Sequence, residues 1–165
     1  MNAFVIDAFE FCRLNERREG EIAVADLPRL AEESVGKSGS VRWSLQGGSD
    51  RRGNPQLTLS IAGGVQLMCQ RCLATPLAFD IVSESVLVLA QDEASADEME
   101  VLLADEAVEV IVGSRTFDIV SLVEDEALLA IPQSPRHEAC PAQLPEASKD
   151  TEKVSPFAVL KSLKK

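Results

Sequence analysis

Three cysteines and the single histidine of this chain fall into two short motifs with the same internal spacing. Cys69 and Cys72 form a CxxC, and His137 and Cys140 form an HxxC further along the chain. Three thiolates and one imidazole are a ligand set that zinc binds in a tetrahedral site. The sequence therefore predicts either a zinc site built from these four residues or a group of free, partly buried thiols, and the spacing alone does not choose between them.

A CxxC also occurs in thiol-redox enzymes, where the reactive cysteine usually lies at a helix N-terminus after a strand. Here the motif lies between two strand-like runs without a surrounding βαβ pattern, which argues against a redox pair. The chain has no serine or cysteine elbow motif and no phosphate-binding glycine loop, so no catalytic class is indicated. The fourth cysteine, Cys12, is predicted to be a small core residue.

The two motifs need a scaffold, and the length of 165 residues suits one domain. We predict an α+β fold over residues 1–141, with an antiparallel sheet in meander order and two main helices. Residues 142–165 are predicted to be a flexible tail with a short basic amphipathic segment, because their first part is polar and rich in proline and charge.

Alternating apolar residues predict the strands of this sheet. One strand contains Trp43, a second runs from Leu57 to Leu67, and a third begins near Leu77, so that the CxxC lies at the tip of a hairpin. The alternation shifts near Ser83, where we predict a β-bulge.

Two helices are predicted from their start signals. Asp26 followed by Pro28 is typical of a helix start near residue 30, and Asp118 is predicted to cap a helix over about 119–130. The acidic stretch 91–100 is predicted to be an exposed loop, and 101–103 and 108–112 to be short strands.

Glu126 falls on the apolar face of the second helix at 100° per residue, while Glu124 points away. A buried carboxylate needs a partner, and Arg71 or Arg115 are candidates. The alternative is that Glu126 lies at the edge of this face and reaches water.

The net charge of −11 argues against a general nucleic-acid binder, because phosphate affinity comes largely from Lys and Arg. Any RNA contact must be local or act through a protein partner. No apolar run is long enough to span a membrane, the N-terminal residues read neither as a signal peptide nor as an anchor, and no small-molecule substrate is indicated. We therefore expect a cytoplasmic protein, in which cysteines serve as thiols or metal ligands rather than disulfides.

Four ordered motifs resemble the YceD family, the large ribosomal RNA subunit accumulation proteins. The resemblance extends over about 20–165 and is carried by 69–73 (CQRCL), 123–132 (VEDEALLAIP), Pro135-Arg136-His137 with Cys140, and 156–160 (PFAVL). It implies a bacterial cytoplasmic protein needed for synthesis, processing or stability of 23S rRNA, and it supplies no reaction. Some relatives carry a second cysteine pair where this chain has His137 and Cys140, which favours a metal site.

We therefore expect a non-enzymatic ribosome biogenesis factor that acts on 23S rRNA or a pre-ribosomal particle, directly or through a ribosomal protein. One alternative is an acidic module that escorts a basic ribosomal protein, and another is a CxxC thiol-redox protein. The residues expected to contact RNA or a protein partner are Arg71, Arg136, Lys161, Lys164 and Lys165.

Overall fold

A five-stranded sheet forms the centre of the fold in the computed structural model, which describes residues 4–141. In these residues helices and strands are mixed, so the predicted α+β class is confirmed. In chain order the elements are β1 (Val5–Ile6), α1 (Ala8–Arg13), β2 (Arg17–Ala23), a 3-10 turn (Val24–Asp26), α2 (Pro28–Glu33), β3 (Ser40–Ser49), β4 (Pro55–Met68), β5 (Pro76–Ala90), α3 (Glu93–Leu102), β6 (Glu109–Val112), β7 (Phe117–Asp118) and α4 (Ile119–Ala130).

The main sheet has the order β2-β3-β4-β5-β6, and β1 pairs with β7 in a separate two-stranded sheet. Strands β2 to β5 form the predicted antiparallel meander. The prediction of a purely antiparallel sheet was wrong, because β6 pairs with β5 in parallel. The chain reaches this parallel position through α3, as a crossover connection requires.

Strands β4 and β5 form one long hairpin whose register is unbroken from Gln56↔Val88 to Met68↔Pro76. The bulge predicted near Ser83 is therefore absent from this hairpin. The shift in hydrophobic pattern has another cause. Leu87 and Leu89 belong to the main core, whereas the alternating Val88 and Ala90 are buried outside it, where α3 packs on β5.

The acidic stretch predicted to be a loop is helix α3, and 101–103 lies at its end rather than in a strand. Asp92 and Ser95 form a reciprocal capping box that starts this helix. The strand predicted over 108–112 is confirmed as β6.

The inner face of the sheet packs against α1 and α4, and α2 packs on α4 and adds Leu30 to the same core. Helix α4 has the predicted bounds, and the Asp118 side chain accepts a hydrogen bond from the N–H of Val120 at 2.9 Å. The buried stripe consists of Ile119, Val123 and Ala127 together with Glu124, while Leu129 is 75% exposed. The buried face of α4 is therefore rotated from the predicted one.

Candidate metal centre

The hairpin tip and the segment after α4 bring the two cysteine-containing motifs together. Residues 69–75 connect β4 to β5 and carry the CxxC. After α4 the chain returns to this tip, where the N–H of Gln70 donates to the carbonyl of Pro135 at 2.8 Å. This backbone hydrogen bond places the following HxxC beside the tip.

Four potential ligand atoms meet there, from Cys69, Cys72, His137 and Cys140, and all lie within 4.8 Å of one another. The Sγ atoms of Cys69 and Cys140 are 3.9 Å apart, and Cys72 Sγ lies 3.8 Å from His137 Nδ1. In a tetrahedron with zinc–sulfur bonds of about 2.3 Å, the sulfurs lie about 3.8 Å apart. The spacing fits four ligands around one ion, and the cysteines are free thiols rather than disulfides.

Backbone N–H groups surround the sulfur of Cys69, which is fully buried. Burial raises the pKa of this thiol, but N–H groups of Cys72, His137 and Arg71 and the thiol of Cys72 together lower it to about 5. The His137 N–H donates to Cys69 Sγ at 3.5 Å. These donors favour a thiolate, the form that binds metal.

The next turn of the chain directs backbone N–H groups toward the sulfur of Cys72. The N–H groups of Ala74 and Thr75 lower the pKa of Cys72. This turn passes through Leu73, whose φ of 53° lies in the left-handed region and whose N–H donates to the Cys69 carbonyl at 2.9 Å. A left-handed conformation costs a residue with a side chain roughly 1–2 kcal/mol. The backbone is therefore strained at Leu73, in the same turn whose N–H groups point at the sulfur of Cys72.

The HxxC motif supplies the other two potential ligands, His137 and Cys140. Burial lowers the pKa of His137, but hydrogen bonds to Cys69 and Cys72 and to the carbonyl of Pro76 raise it overall. Burial and the neighbouring charges of Cys69 and Cys72 raise the pKa of Cys140. Once one of these sulfurs is a thiolate, its charge opposes ionisation of Cys140, and a divalent cation would remove that opposition.

One comparison identifies the family of the chain. Residues 57–164, more than half of the sequence, match the family model described as large ribosomal RNA subunit accumulation protein YceD. The chain belongs to the YceD family. The matched region starts later than the resemblance from residue 20 suggested, and it contains all four residues of the metal-ligand cluster. No solved structure matches the chain.

The family description connects the chain with the accumulation of large-subunit ribosomal RNA and names no reaction. None of the helices between residues 4 and 141 is long and apolar enough to cross a membrane.

The two arginines expected to contact RNA or protein flank the cluster. Arg71 lies inside the CxxC and Arg136 directly precedes His137, and both side chains are exposed. The three expected lysines, Lys161, Lys164 and Lys165, lie outside the described residues. The tip therefore carries two cations beside the four candidate ligands.

Of the two interpretations of Glu126, the half-buried side chain fits the one that places it at the edge of the helix face, not the one that makes it a buried charge. Its side chain is half-buried and accepts a hydrogen bond from the hydroxyl of Ser83, not from Arg71 or Arg115. The buried carboxylate is Glu124, which is 4% exposed. Its partner is Arg29 on α2, whose Nε lies 2.9 Å from Glu124 Oε2.

Glu124 also replaces a missing helix cap. The N-cap position of α2 is Leu27, which has no side-chain acceptor, so the predicted cap Asp26 was wrong. Glu124 Oε1 accepts instead from the N–H groups of Arg29 at 2.7 Å and Leu30 at 3.2 Å. The available signal in the sequence was Pro28, because a proline at the first helical position makes Leu27, which has no capping side chain, the N-cap residue.

The geometry disfavours the thiol-redox alternative. The pKa values of both CxxC thiols are lowered, and Cys72 is only half-buried. A reactive cysteine must be accessible to its substrate, and Cys69, whose pKa is lowered to about 5, is fully buried. Its lowered pKa comes from tip amides and a neighbouring thiol rather than from a helix N-terminus.

Proposed function

We propose that this YceD-family protein is a cytoplasmic, non-enzymatic ribosome biogenesis factor that supports synthesis, processing or stability of 23S rRNA. In this proposal a structural zinc ion holds the hairpin tip against the segment after α4. The family match over residues 57–164 carries the ribosomal RNA role. The cluster of Cys69, Cys72, His137 and Cys140, with all ligand atoms within 4.8 Å, carries the zinc ion.

The ligand set favours a structural ion over a catalytic one. Catalytic zinc sites leave one position for water or substrate, whereas structural sites take all four ligands from the protein. The backbone amides that point at Cys69 and Cys72 supply the outer hydrogen bonds that stabilise metal-bound thiolates. Zinc would supply no reaction here; it would fix the shape of the tip.

The fixed tip would present Arg71 and Arg136 to a phosphate backbone or to an acidic protein surface. A net charge of −11 makes a large RNA footprint unfavourable. Two exposed arginines beside a rigid site suit a small, local contact, since a guanidinium group pairs with two oxygens of one phosphate.

The test is a pull-down of the tagged full-length chain from cells, with and without ribonuclease, that reads out both RNA and protein. We expect 23S rRNA or its precursors in the untreated sample, and loss of the bound partners after ribonuclease treatment. Absence of 23S rRNA and of large-subunit proteins from the untreated sample would overturn the proposal.

A charge-reversed variant locates the contact. Arg71→Glu with Arg136→Glu should lower RNA recovery about tenfold, because two cationic contacts are replaced by repulsion. Arg51→Glu with Arg115→Glu changes the charge equally at exposed turn residues away from the tip and should have little effect. Equal losses in both variants would mean that RNA does not recognise the tip.

The escort alternative makes a different prediction in the same pull-down. A basic ribosomal protein that stays bound after ribonuclease would identify an acidic escort, with RNA accumulation as a downstream effect. Its recovery should fall at high salt, since contacts between exposed charges are screened.

A further inference from the structure

The face of the main sheet that turns away from the core contains a depression of about 790 Å³. Alternate residues of a strand point to opposite faces, and Val41, Trp43 and Leu45 of β3 point into the core. The residues between them, Arg42 and Ser44, therefore belong to this outer face.

The strand register arranges the outer side chains in two parallel rows that cross β2, β3, β4 and β5. We call this surface the acidic trough. Its rows are Glu21, Arg42, Ala62 and Val82, and Glu19, Ser44, Ser60 and Glu84.

Small side chains form the floor of the trough, and acidic side chains form its rims. Ser60 and Ala62 are the small residues that the central strand β4 places on this face, while Glu19 and Glu21 lie on the β2 side and Glu84 on the β5 side. Asp80 adds a further carboxylate on β5 in the adjoining depression. Arg42 is the one cation among the residues that line the trough, and Arg17 on β2 pairs with the rim residue Glu19 at 3.3 Å.

An apolar side chain is also left exposed on this surface. Val82 on the β5 rim is 77% exposed, and it stands in one cross-strand row with Ala62. A partner that fits therefore combines a few apolar side chains for the floor with cations for both rims.

Residues 155–165 of the same chain have this chemistry. The segment contains three lysines and no acidic residue, and its apolar residues are Phe157, Ala158, Val159, Leu160 and Leu163. Its charge is opposite to that of the trough rims, so the long-range attraction favours the encounter.

The segment can also reach the trough. The described chain ends at residue 141, just past the cluster at the hairpin tip. The trough residue Ser60 lies nine positions before Cys69, or roughly 30 Å down β4 at about 3.3 Å per residue. The 13 residues 142–154 that precede the segment span up to about 45 Å when extended, which exceeds this distance.

We propose that residues 155–165 dock into the acidic trough of their own chain. Tethering raises the effective concentration of the segment to the millimolar range, so weak contacts suffice to keep it bound. Docking would place Lys161 and Lys164 beside the rim carboxylates, away from other partners. The inference goes beyond the proposed function and is tested on the isolated protein without RNA.

The test measures, by NMR, the amide hydrogen exchange rates of residues 157–163 in the full-length protein. Glu19→Lys with Glu84→Lys reverses both ends of one trough row, and exchange at these amides should become about tenfold faster. Glu98→Lys with Glu100→Lys makes the same charge change at exposed positions of α3 and should leave exchange unchanged. Equal exchange in the rim-reversed and unmodified proteins would overturn the proposal.

A charge swap identifies the occupant. Adding Lys161→Glu and Lys164→Glu to the rim-reversed protein should restore slow exchange, because the signs are complementary again. No restoration would overturn the assignment to this segment.

A synthetic peptide of residues 155–165 gives an independent check. Added to full-length protein carrying Phe157→Ser and Leu160→Ser, it should shift the amide signals of Ser44, Ser60 and Val82 saturably. A scrambled peptide that binds equally well would show that the trough takes any basic chain, and would overturn the specific assignment. Protection that increases with protein concentration would indicate a second copy as the occupant and would also overturn it.

Discussion

Two groups of polar side chains differ in whether the chain itself satisfies their hydrogen bonds and balances their charges. Glu124 is buried, yet its two oxygens accept from the backbone of Arg29 and Leu30 and from the Arg29 guanidinium. The metal-ligand cluster places three sulfurs and an imidazole within 4.8 Å, and its backbone donors cannot neutralise several thiolates at once. The first group is satisfied by the chain itself, and the second calls for a cation.

Glu124 is a polar side chain that stabilises the fold, whereas the four residues of the cluster can bind a ligand. Glu124 caps a helix and pairs with an arginine, so three of the roughly four acceptor sites of its carboxylate are used within the chain and its charge is balanced. The cluster has the donor atoms and spacing of a closed zinc site. Clustering of titratable groups is therefore less informative than whether their hydrogen bonds and charges already balance.

The largest expected effect is loss of metal from the cluster. Protein purified without chelator should contain about one zinc per chain, and Cys72→Ser should reduce this to nearly none, because a hydroxyl is a poor replacement for a thiolate ligand. Elemental analysis measures it. Cys12→Ser makes the same chemical change at a buried thiol that donates to the Gln56 carbonyl at 3.2 Å, and it should keep the zinc. Zinc-free unmodified protein would remove the metal site from the proposal.

The second effect tests which carboxylate is structural. Glu124→Gln should lower the free energy of unfolding by about 1.5–3 kcal/mol, since it weakens charge-assisted hydrogen bonds in a buried position. Glu126→Gln, two residues along α4, should change it by less than about 0.5 kcal/mol. Urea unfolding of both variants measures the difference. A larger loss for Glu126→Gln would reverse the assignment.

The sequence predicted elements whose periodicity reflects one buried face. Helix α4, its Asp118 cap and the long hairpin were found in this way, and the equal spacing of the CxxC and HxxC motifs identified the cluster. Helix α3 was missed because it buries little apolar surface; Ala96 is its one buried residue. The partner of Glu124 could not be predicted, because Arg29 lies 95 residues away in sequence and helix rotation depends on tertiary packing.

The smallest expected effect concerns strain at the tip. Leu73→Gly should raise the free energy of unfolding by up to about 1 kcal/mol, because glycine adopts positive φ without the steric cost but loses more chain entropy on folding. Asn15, at a φ of 51°, is the matched control, since asparagine tolerates this conformation and Asn15→Gly should gain less. Denaturant unfolding of both variants makes the comparison. An equal or larger gain at Asn15 would mean that Leu73 is not strained.

The long sequence separation between the two motifs affects how the chain folds as well as what it binds. Because 64 residues lie between Cys72 and His137, an ion shared by them would close a loop across β5, α3, β6 and α4. By analogy with a disulfide of that span, such a cross-link removes about 4 kcal/mol of conformational entropy from the unfolded chain. An unfolded chain would have to close this loop to use all four ligands, whereas the folded domain already holds them within 4.8 Å of one another. Metal uptake would therefore distinguish finished chains from incomplete ones.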